Sequence, residues 1–394
     1  MSDRHAGFSG LDRLLQSPSE LQNLRASRFA LLCHPASVTR DFVHVYDALR
    51  GLGIKPSLLL GPEHGIAGEA QDMDAVGDAK NAECVPVRSL YGARFEDLTP
   101  RDEDFEGLDL LVIDMQDVGS RYYTFIWTAV LAVRRAAALG LRVLVLDRAN
   151  PLGSALVEGR VQDPGFLSFV GLEPVPVRHG LTLGEVVAWQ LGRVGVAPEQ
   201  LRVLRHEGEA PDAQWVYPSP NMPTRDTALV YPGGCLLEGT NLSDGRGTTR
   251  PFQLTGAPWV DGHALSHELG RFALPGVRFR PIRFEPTFHK HARRICGGVE
   301  VHVTERHAFR PVATYAALIA QCHALWPQHF VFRTEKYEFV SDIPAFDLLT
   351  GSAEARKQIL RGSSPQSVAE WVSQTDPNVT KCIREEAICM GSWV

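Results

Sequence analysis

Several short polar clusters carry the residue types that bond-breaking chemistry uses. Gly61-Pro62-Glu63-His64-Gly65, followed by Gly68 and Asp72, holds a carboxylate and an imidazole in a turn whose glycines and proline bend the backbone and expose the side chains. Such a Glu63 is placed to act as a general acid/base, with His64 beside it to tune it. Asp114-Met115-Gln116-Asp117-Val118-Gly119-Ser120-Arg121-Tyr122-Tyr123-Thr124 adds Asp114 and Asp117 as further acids, with Gln116, Arg121 and Tyr122 as binding groups. Asp147-Arg148-Ala149-Asn150-Pro151 contributes Asn150 and is followed by Glu158. Asp147 also suits a plainer role, capping the next helix with Arg121 as its counter-ion.

Two later clusters supply grip rather than acid. Pro218-Ser219-Pro220-Asn221-Met222-Pro223 is proline-restricted, so Asn221 has few conformers and suits hydrogen bonding to an amide or hydroxyl. Glu238-Gly239-Thr240-Asn241, continuing to Arg246 and Arg250, concentrates donors, arginines and glycines suited to a carboxylate or to sugar hydroxyls; Glu238, Asn241 and Arg246 are its candidates. His179-Gly180 stands just before a helix start and offers a further base or binding group.

Some chemistries are excluded. No GxGxxG follows the first strand and no GxxxxGK[ST] occurs, so nucleotide cofactors lose their fingerprints. The 14 histidines are scattered and no HExxH occurs; the one HxH pair, His289 and His291, flanks Lys290 in a basic stretch and reads as surface residues, so neither a metal nor another cofactor is expected.

These clusters need a scaffold, and the apolar runs supply one. Short runs at 28–33, 56–60, 108–114, 142–147 and 201–204 alternate with helical stretches at 41–52, 122–139 and 183–191, the grammar of a parallel sheet covered on both faces. Thr182 with Glu185 three residues on forms a capping box at the start of the last helix. Ligands of such sheets bind beyond the carboxyl ends of the strands, where Glu63, Asp114, Asp117 and Asn150 all fall. After Pro232 the pattern changes to alternating strands such as 298–304 and helices at 311–325, 353–360 and 365–372. The expectation is an α/β domain over residues 1–232 and a smaller α+β domain over 233–394, with a cleft between them.

The 394 residues are 44% hydrophobic and 22% charged, which suits a globular protein with a large core. Forty basic against 46 acidic side chains leave a net charge of −6 without a basic run, so no nucleic-acid partner is expected. The longest apolar runs fall far short of the ~18 residues a membrane span needs. The start lacks the pattern of a secretory signal, and the seven cysteines are odd in number, scattered and free of CxxC pairs, which points to thiols in a cytoplasm.

Five motifs, Leu-Gly-Pro-Glu-His-Gly at 60–65, the run at 114–124, Asp-Arg-Ala-Asn-Pro-Leu-Gly at 147–153, Pro-Ser-Pro-Asn-Met-Pro at 218–223, and Glu-Gly-Thr-Asn at 238–241 followed by Gly-Arg-Gly-Thr, occur in the order found in the exo-β-N-acetylmuramidase family, which this chain resembles from about residue 8 to 394. The resemblance implies a Rossmann-like N-terminal domain, an added C-terminal domain and an active-site cleft between them. It also implies removal of β-linked N-acetylmuramic acid from the non-reducing end of peptidoglycan fragments, and puts the family's Pro-Glu-His glutamate on Glu63. Ala149 departs from the proline expected there, and residues 332–339 lack the aromatic and proline richness of relatives, a difference that bears on subsite preference. Many relatives carry a signal peptide, a pattern that is not seen at the start of this sequence, so the expectation is action inside the cell on imported disaccharides or muropeptides.

Glycoside hydrolysis needs an acid for the leaving oxygen and a second group for the oxocarbenium-like transition state. The carboxyls are ~5–5.5 Å apart when a covalent intermediate forms and ~6.5–9.5 Å apart when water attacks, and a substrate acetamido group serves as an alternative nucleophile. Glu63 takes the first role; Asp114, Asp117, Glu158 and the acetamido group remain open for the second. The lactyl carboxylate of muramic acid calls for a guanidinium, Arg121 or Arg246. Two rival readings stay open at this level: a metal-assisted hydrolase using His64 and the acids, and a two-lobed muropeptide-binding protein without catalysis.

Overall fold

The computed structural model describes residues 7–68, 70–71, 73–74, 77–80, 85–208 and 215–394; Asp72 and Cys84 lie outside them. Strands β1 (Phe29–Cys33), β2 (Leu58–Gly61), β3 (Ala79–Lys80), β4 (Pro86–Ser89), β5 (Leu110–Asp114), β6 (Arg142–Leu146) and β7 (Leu201–Leu204) belong to one sheet. A second, antiparallel sheet holds β8 (Leu254–Ala257), β9 (Val277–Phe284) and β10 (Cys296–Val303). The last strand, β11 (Ser392–Trp393), returns to the first sheet, whose order is β11-β7-β6-β5-β1-β2-β4-β3. Every pairing in that sheet is parallel except β3 with β4. The chain steps outward from β1 through β2 to β4, then crosses back to β5 on the other side of β1, so the winding reverses between β1 and β5.

Both faces of this sheet are covered, which is why β1, β2 and β5 are buried at every position. Alternate residues feed two cores: Phe29, Leu31 and Cys33 face the layer of α1 (Gly10–Gln16), α2 (Pro18–Arg25) and α3 (Val45–Gly51), while Ala30 and Leu32 face the opposite layer. That opposite layer begins with α4 (Phe125–Ala138) and α5 (Leu183–Arg193) and runs without a break into the C-terminal helices. These are α6 (Arg225–Gly234), α7 (Gly262–Gly270), α8 (Pro311–Leu325), α9 (Ala345–Thr350), α10 (Glu354–Leu360), α11 (Pro365–Ser373) and α12 (Pro377–Ile388).

The α/β architecture with a smaller α+β part is as the sequence predicts, including the Thr182–Glu185 capping box on α5. Two helix starts move inward, for local reasons. The stretch read from residue 41 begins at Val45, because Thr39 closes a turn over Phe42 and His44 Nδ1 then caps the helix by accepting from Tyr46 N–H at 3.3 Å. The stretch read from 122 begins at Phe125, which leaves Tyr122, Tyr123 and Thr124 outside the helix. The change of pattern at Pro232 falls inside α6. Beyond Asp376, α12 and β11 pack back on α5 and β7 of the first sheet.

Candidate active site

The turn after β2 presents Glu63. A Cβ on Gly61 would lie 2.9 Å from Ile66 N, so the chain folds back tightly there, and His64 and Gly65 take left-handed φ of 71° and 79°. His64 Nδ1 donates to Ala70 O at 2.9 Å, which fixes the ring in the turn. Glu63 is buried; its Oε2 accepts from the Thr124 hydroxyl at 2.6 Å and its Oε1 from Met73 N–H at 3.4 Å. Thr124 is the N-cap residue of α4 but gives its side chain to Glu63 rather than to the helix.

Glu63 and His64 open into a cleft of about 440 Å³ closed on the far side by the C-terminal part of the chain. Its aromatic wall comprises Tyr122, Tyr123, Tyr231, Tyr337 and Phe252. Tyr123 and Tyr231 meet edge-on at 5.8 Å, and Tyr231 meets Phe252 at 4.8 Å. Burial pushes the four phenols well above their usual range, so they are neutral hydroxyls on aromatic plates, a surface suited to a sugar ring. Asn221 and Ser219 border the opening, and Asn221 Nδ2 donates to Gln71 Oε1 at 3.3 Å.

Glu238, Glu338 and Arg246 supply the charge opposite Glu63. Arg246 donates to Glu238 at 2.8 Å and to Asp244 at 3.2 Å, and its guanidinium lies 4.8 Å from the Phe252 ring centre. Tyr337 donates to the other Glu238 oxygen at 2.7 Å. Burial by itself would raise Asp244, yet Lys290 and Arg246 hold it well below the usual carboxylate range. The cluster is therefore a fixed lattice of opposite charges that orients Arg246.

The structure thus brings Glu63, His64, Tyr122, Asn221, Glu238 and Arg246 together, and sends the other candidates elsewhere. Asp114 is fully buried and held by Arg148 through two hydrogen bonds, of 2.5 and 3.0 Å. Asp117 accepts from Gly119 N–H at 2.7 Å and faces His179 Nε2 at 3.4 Å; His179 is itself fully buried, with Leu181 N–H on its Nδ1. Glu158 lies under the start of α8, where Ala313 N–H donates to it at 2.8 Å. Arg121, read as a grip for a carboxylate, is fully buried and spends its guanidinium on the carbonyls of Arg160, Val175 and Leu349 at 2.6, 2.9 and 2.7 Å. Burial pulls it down to about 10. Asn150 braces the loop before α5 by donating to Leu181 O, Asn241 pins residues 329–331, and Gln116 lines a different crevice. Asp147 does cap α5, accepting from Gly184 N–H at 2.9 Å, without Arg121.

Val170, Tyr231, Phe252, Tyr337 and Glu338 are the cleft residues that the sequence did not single out. Tyr337 and Glu338 sit in a tight turn in which Glu338 and Phe339 take φ of 43° and 70° without any glycine to mark it. Among the described residues, no three His, Cys, Asp or Glu side chains converge as a metal site would require.

A carboxylate raised on a left-handed turn at the carboxyl edge of a parallel sheet, facing fixed charges and aromatic plates, defines an α/β enzyme with its cleft at that edge. The chain belongs to the exo-β-N-acetylmuramidase NamZ family: the models of its N- and C-terminal domains match residues 29–226 and 229–378. The peptidoglycan β-N-acetylmuramidase NamZ of Bacillus subtilis strain 168 is 38% identical over 377 residues, 93% of this chain and 87% of that protein. Two DUF1343-family proteins of Bacteroides fragilis have similar crystal structures. One has a TM-score of 0.84 at 28% identity and the other 0.71 at 25%, each match covering 98% of this chain and 99% of theirs.

Proposed function

We propose that the protein is an exo-β-N-acetylmuramidase that releases β-linked N-acetylmuramic acid from the non-reducing end of peptidoglycan fragments, with Glu63 as general acid/base. The observation that carries this reading is Glu63 itself: a buried carboxylate, oriented by Thr124, in a cleft lined by tyrosines. Glu63 protonates the glycosidic oxygen as the bond breaks, and the tyrosine plates pack against the sugar faces. Arg246, alone of the two candidate arginines, lines the cleft, and it takes the lactyl carboxylate. Asp114, Asp117 and Glu158 do not line the cleft, so the second role passes to its other carboxylates, Glu238 and Glu338, or to the substrate acetamido group.

The test is release from a chromogenic β-N-acetylmuramic acid glycoside beside the N-acetylglucosamine equivalent, with wild type and Glu63→Gln. Proton donation by a placed group contributes about 10²–10⁴-fold, so the variant should lose at least that factor while still binding. A variant that turns over at the wild-type rate would remove Glu63 from the mechanism. Activity lost on exhaustive chelation would favour the metal-assisted reading instead.

Use inside the cell belongs to the same proposal. Cys33, Cys235, Cys296, Cys322, Cys382 and Cys389 are thiols, which suits a reducing compartment, and among the described residues no helix is long and apolar enough to cross a membrane. Fractionation that finds the protein outside the cytoplasmic membrane would overturn this placement.

A further inference from the structure

The winding of the sheet reverses between β1 and β5, and open parallel sheets bind ligands in the crevice at that point. The Glu63 cleft lies to the β2 side of it. At the reversal itself is a second crevice of about 710 Å³, built from the residues that follow β1 (Val38, Arg40), β5 (Gln116) and β6 (Arg148), with Phe8 and Trp215 as walls. None of its lining residues lines the Glu63 cleft.

Its polar groups are set for an anion. Arg148 is only 9% exposed and is locked by Asp114 and by Val38 O, bonds that use Nε and Nη2; its Nη1 makes no hydrogen bond among the described residues. A guanidinium fixed on one edge and open at the other is a preorganised donor for a carboxylate or phosphate. Arg40 adds a second cation, lying 5.1 Å from the Phe8 ring centre and making no ion pair among the described residues. The acid in the lining, Asp12, has both oxygens occupied: Oδ2 accepts from Ser9 N–H and hydroxyl at 2.9 and 2.7 Å, and Oδ1 from Arg40 N–H at 3.0 Å. Trp215 is anchored through Nε1 to Met222 O at 3.1 Å, which leaves its indole face as a plate. Gln116 donates through Nε2 to Asp117 O and Ala149 O, so its Oε1 is left to accept from a ligand hydroxyl or amide.

We infer that this crevice is a second binding site, for a small organic anion: a carboxylate or phosphate held by Arg148 and Arg40, on a cyclic body that packs on Trp215. The inference stands apart from the glycosidase reading, because it concerns residues that reading does not use and is measured as binding.

The experiment is calorimetric titration of the full chain carrying Glu63→Gln with three probes: N-acetylmuramic acid as the carboxylate, glucose 6-phosphate as the phosphate, and neutral N-acetylglucosamine as control. At least one anion should bind more tightly than the neutral sugar, and more weakly as salt is added. Arg40→Gln and Trp215→Leu should each weaken it tenfold or more, whereas Arg246→Met, in the other cleft, should leave it unchanged. Which anion binds distinguishes the carboxylate from the phosphate source. The inference is overturned if neither anion binds at millimolar concentration, or if binding survives Arg40→Gln and is lost with Arg246→Met. Arg40→Gln in an otherwise wild-type chain should keep full glycosidase activity, so the two readings fail separately.

Discussion

Thr124→Val tests how Glu63 is held. The Thr124 hydroxyl donates to Glu63 Oε2 at 2.6 Å, both residues are 5% exposed, and the other donor to that carboxylate is the long 3.4 Å contact from Met73 N–H. Valine keeps the shape of threonine and removes the donor, leaving one oxygen of a buried carboxylate without it. Hydrogen bonds to charged groups contribute about 1.5–3 kcal/mol, and 1.36 kcal/mol is one decade in rate, so kcat should fall about 10–150-fold. Thr124 positions Glu63 and does not line up with the sugar by itself, so KM should move far less than kcat. The helix should survive, because the Thr124 side chain makes no capping bond, and Tm should stay within about 4 °C of wild type. Thr124→Ser, which restores the hydroxyl, should recover most of the rate. Steady-state kinetics on the chromogenic muramic acid glycoside, with thermal melts of each variant, give all of these numbers. A folded Thr124→Val enzyme with wild-type kcat would refute the argument that Glu63 depends on this bond for its working orientation.

Three further outcomes are expected. Arg246→Met should remove a carboxylate grip of about 1.5–3 kcal/mol and so reduce the preference in kcat/KM for the muramic acid over the N-acetylglucosamine glycoside by about 10-fold or more; unchanged preference would take Arg246 out of substrate selection. Arg121→Met should instead act on stability, since it strips three buried carbonyls of their donor at once; a lowered denaturation midpoint with unchanged selectivity is the expected pattern, and the reverse would restore Arg121 to the site. Glu158 is pushed up to about 7 by burial, against the pull of the Ala313 and Val312 amides and Arg178. The folded state therefore keeps this proton where the unfolded chain, near the ordinary 4.5, has lost it, so stability falls as pH rises from about 4.5 to 7, by about 3 kcal/mol in all. Glu158→Gln should abolish that component, so its Tm should gain on wild type between pH 5 and 8; parallel curves would sink the assignment.

The scaffold was legible because its signals are local. The apolar runs that became β1, β2, β5, β6 and β7 are buried on both faces and bounded by polar turns, and Thr182 with Glu185 marks a helix start without reference to anything distant. β3 and β11 are two residues long, too short to show a period, and exist only because a neighbouring strand offers an edge. The site was legible in part for the same reason. Glu63 sits in a turn whose glycines and proline announce it, but Asp114 and Arg121 have the same residue types at the same sheet edge and turn out to be occupied by other groups. Which acid meets an arginine, and which arginine meets three carbonyls, is decided by pairs 34 to 228 positions apart in the chain, and residue type carries no record of such pairing. Tyr337 and Glu338 reach the cleft on a left-handed turn written Lys-Tyr-Glu-Phe, where neither glycine nor proline gives notice.

The same long-range pairs make the cleft a fixed one. Arg121 ties the α4 loop to Leu349 at the end of α9, Glu158 receives the first free amides of α8, and Tyr122 donates to Pro232 O within α6. On leaving the C-terminal helices the chain is fastened to α5, where Arg384 meets Glu185 and Gly180 O at 2.7 Å each and Trp189 donates to Glu386 at 3.0 Å. Opening the domains would leave several of these donors and acceptors unpaired, the buried ones at about 1–3 kcal/mol each. Two such losses of average size amount to about 4 kcal/mol and hold an opened form below about one per cent of the population. Substrate therefore meets Glu63, Arg246 and the tyrosine plates already in place, and the stabilisation of developing charge needs no rearrangement at the moment of bond cleavage. The turn at 337–340, closed by two mutual backbone hydrogen bonds between Tyr337 and Val340, belongs to the same set of ties, because Tyr91 donates to Glu338 at 3.1 Å and Tyr337 donates to Glu238 at 2.7 Å.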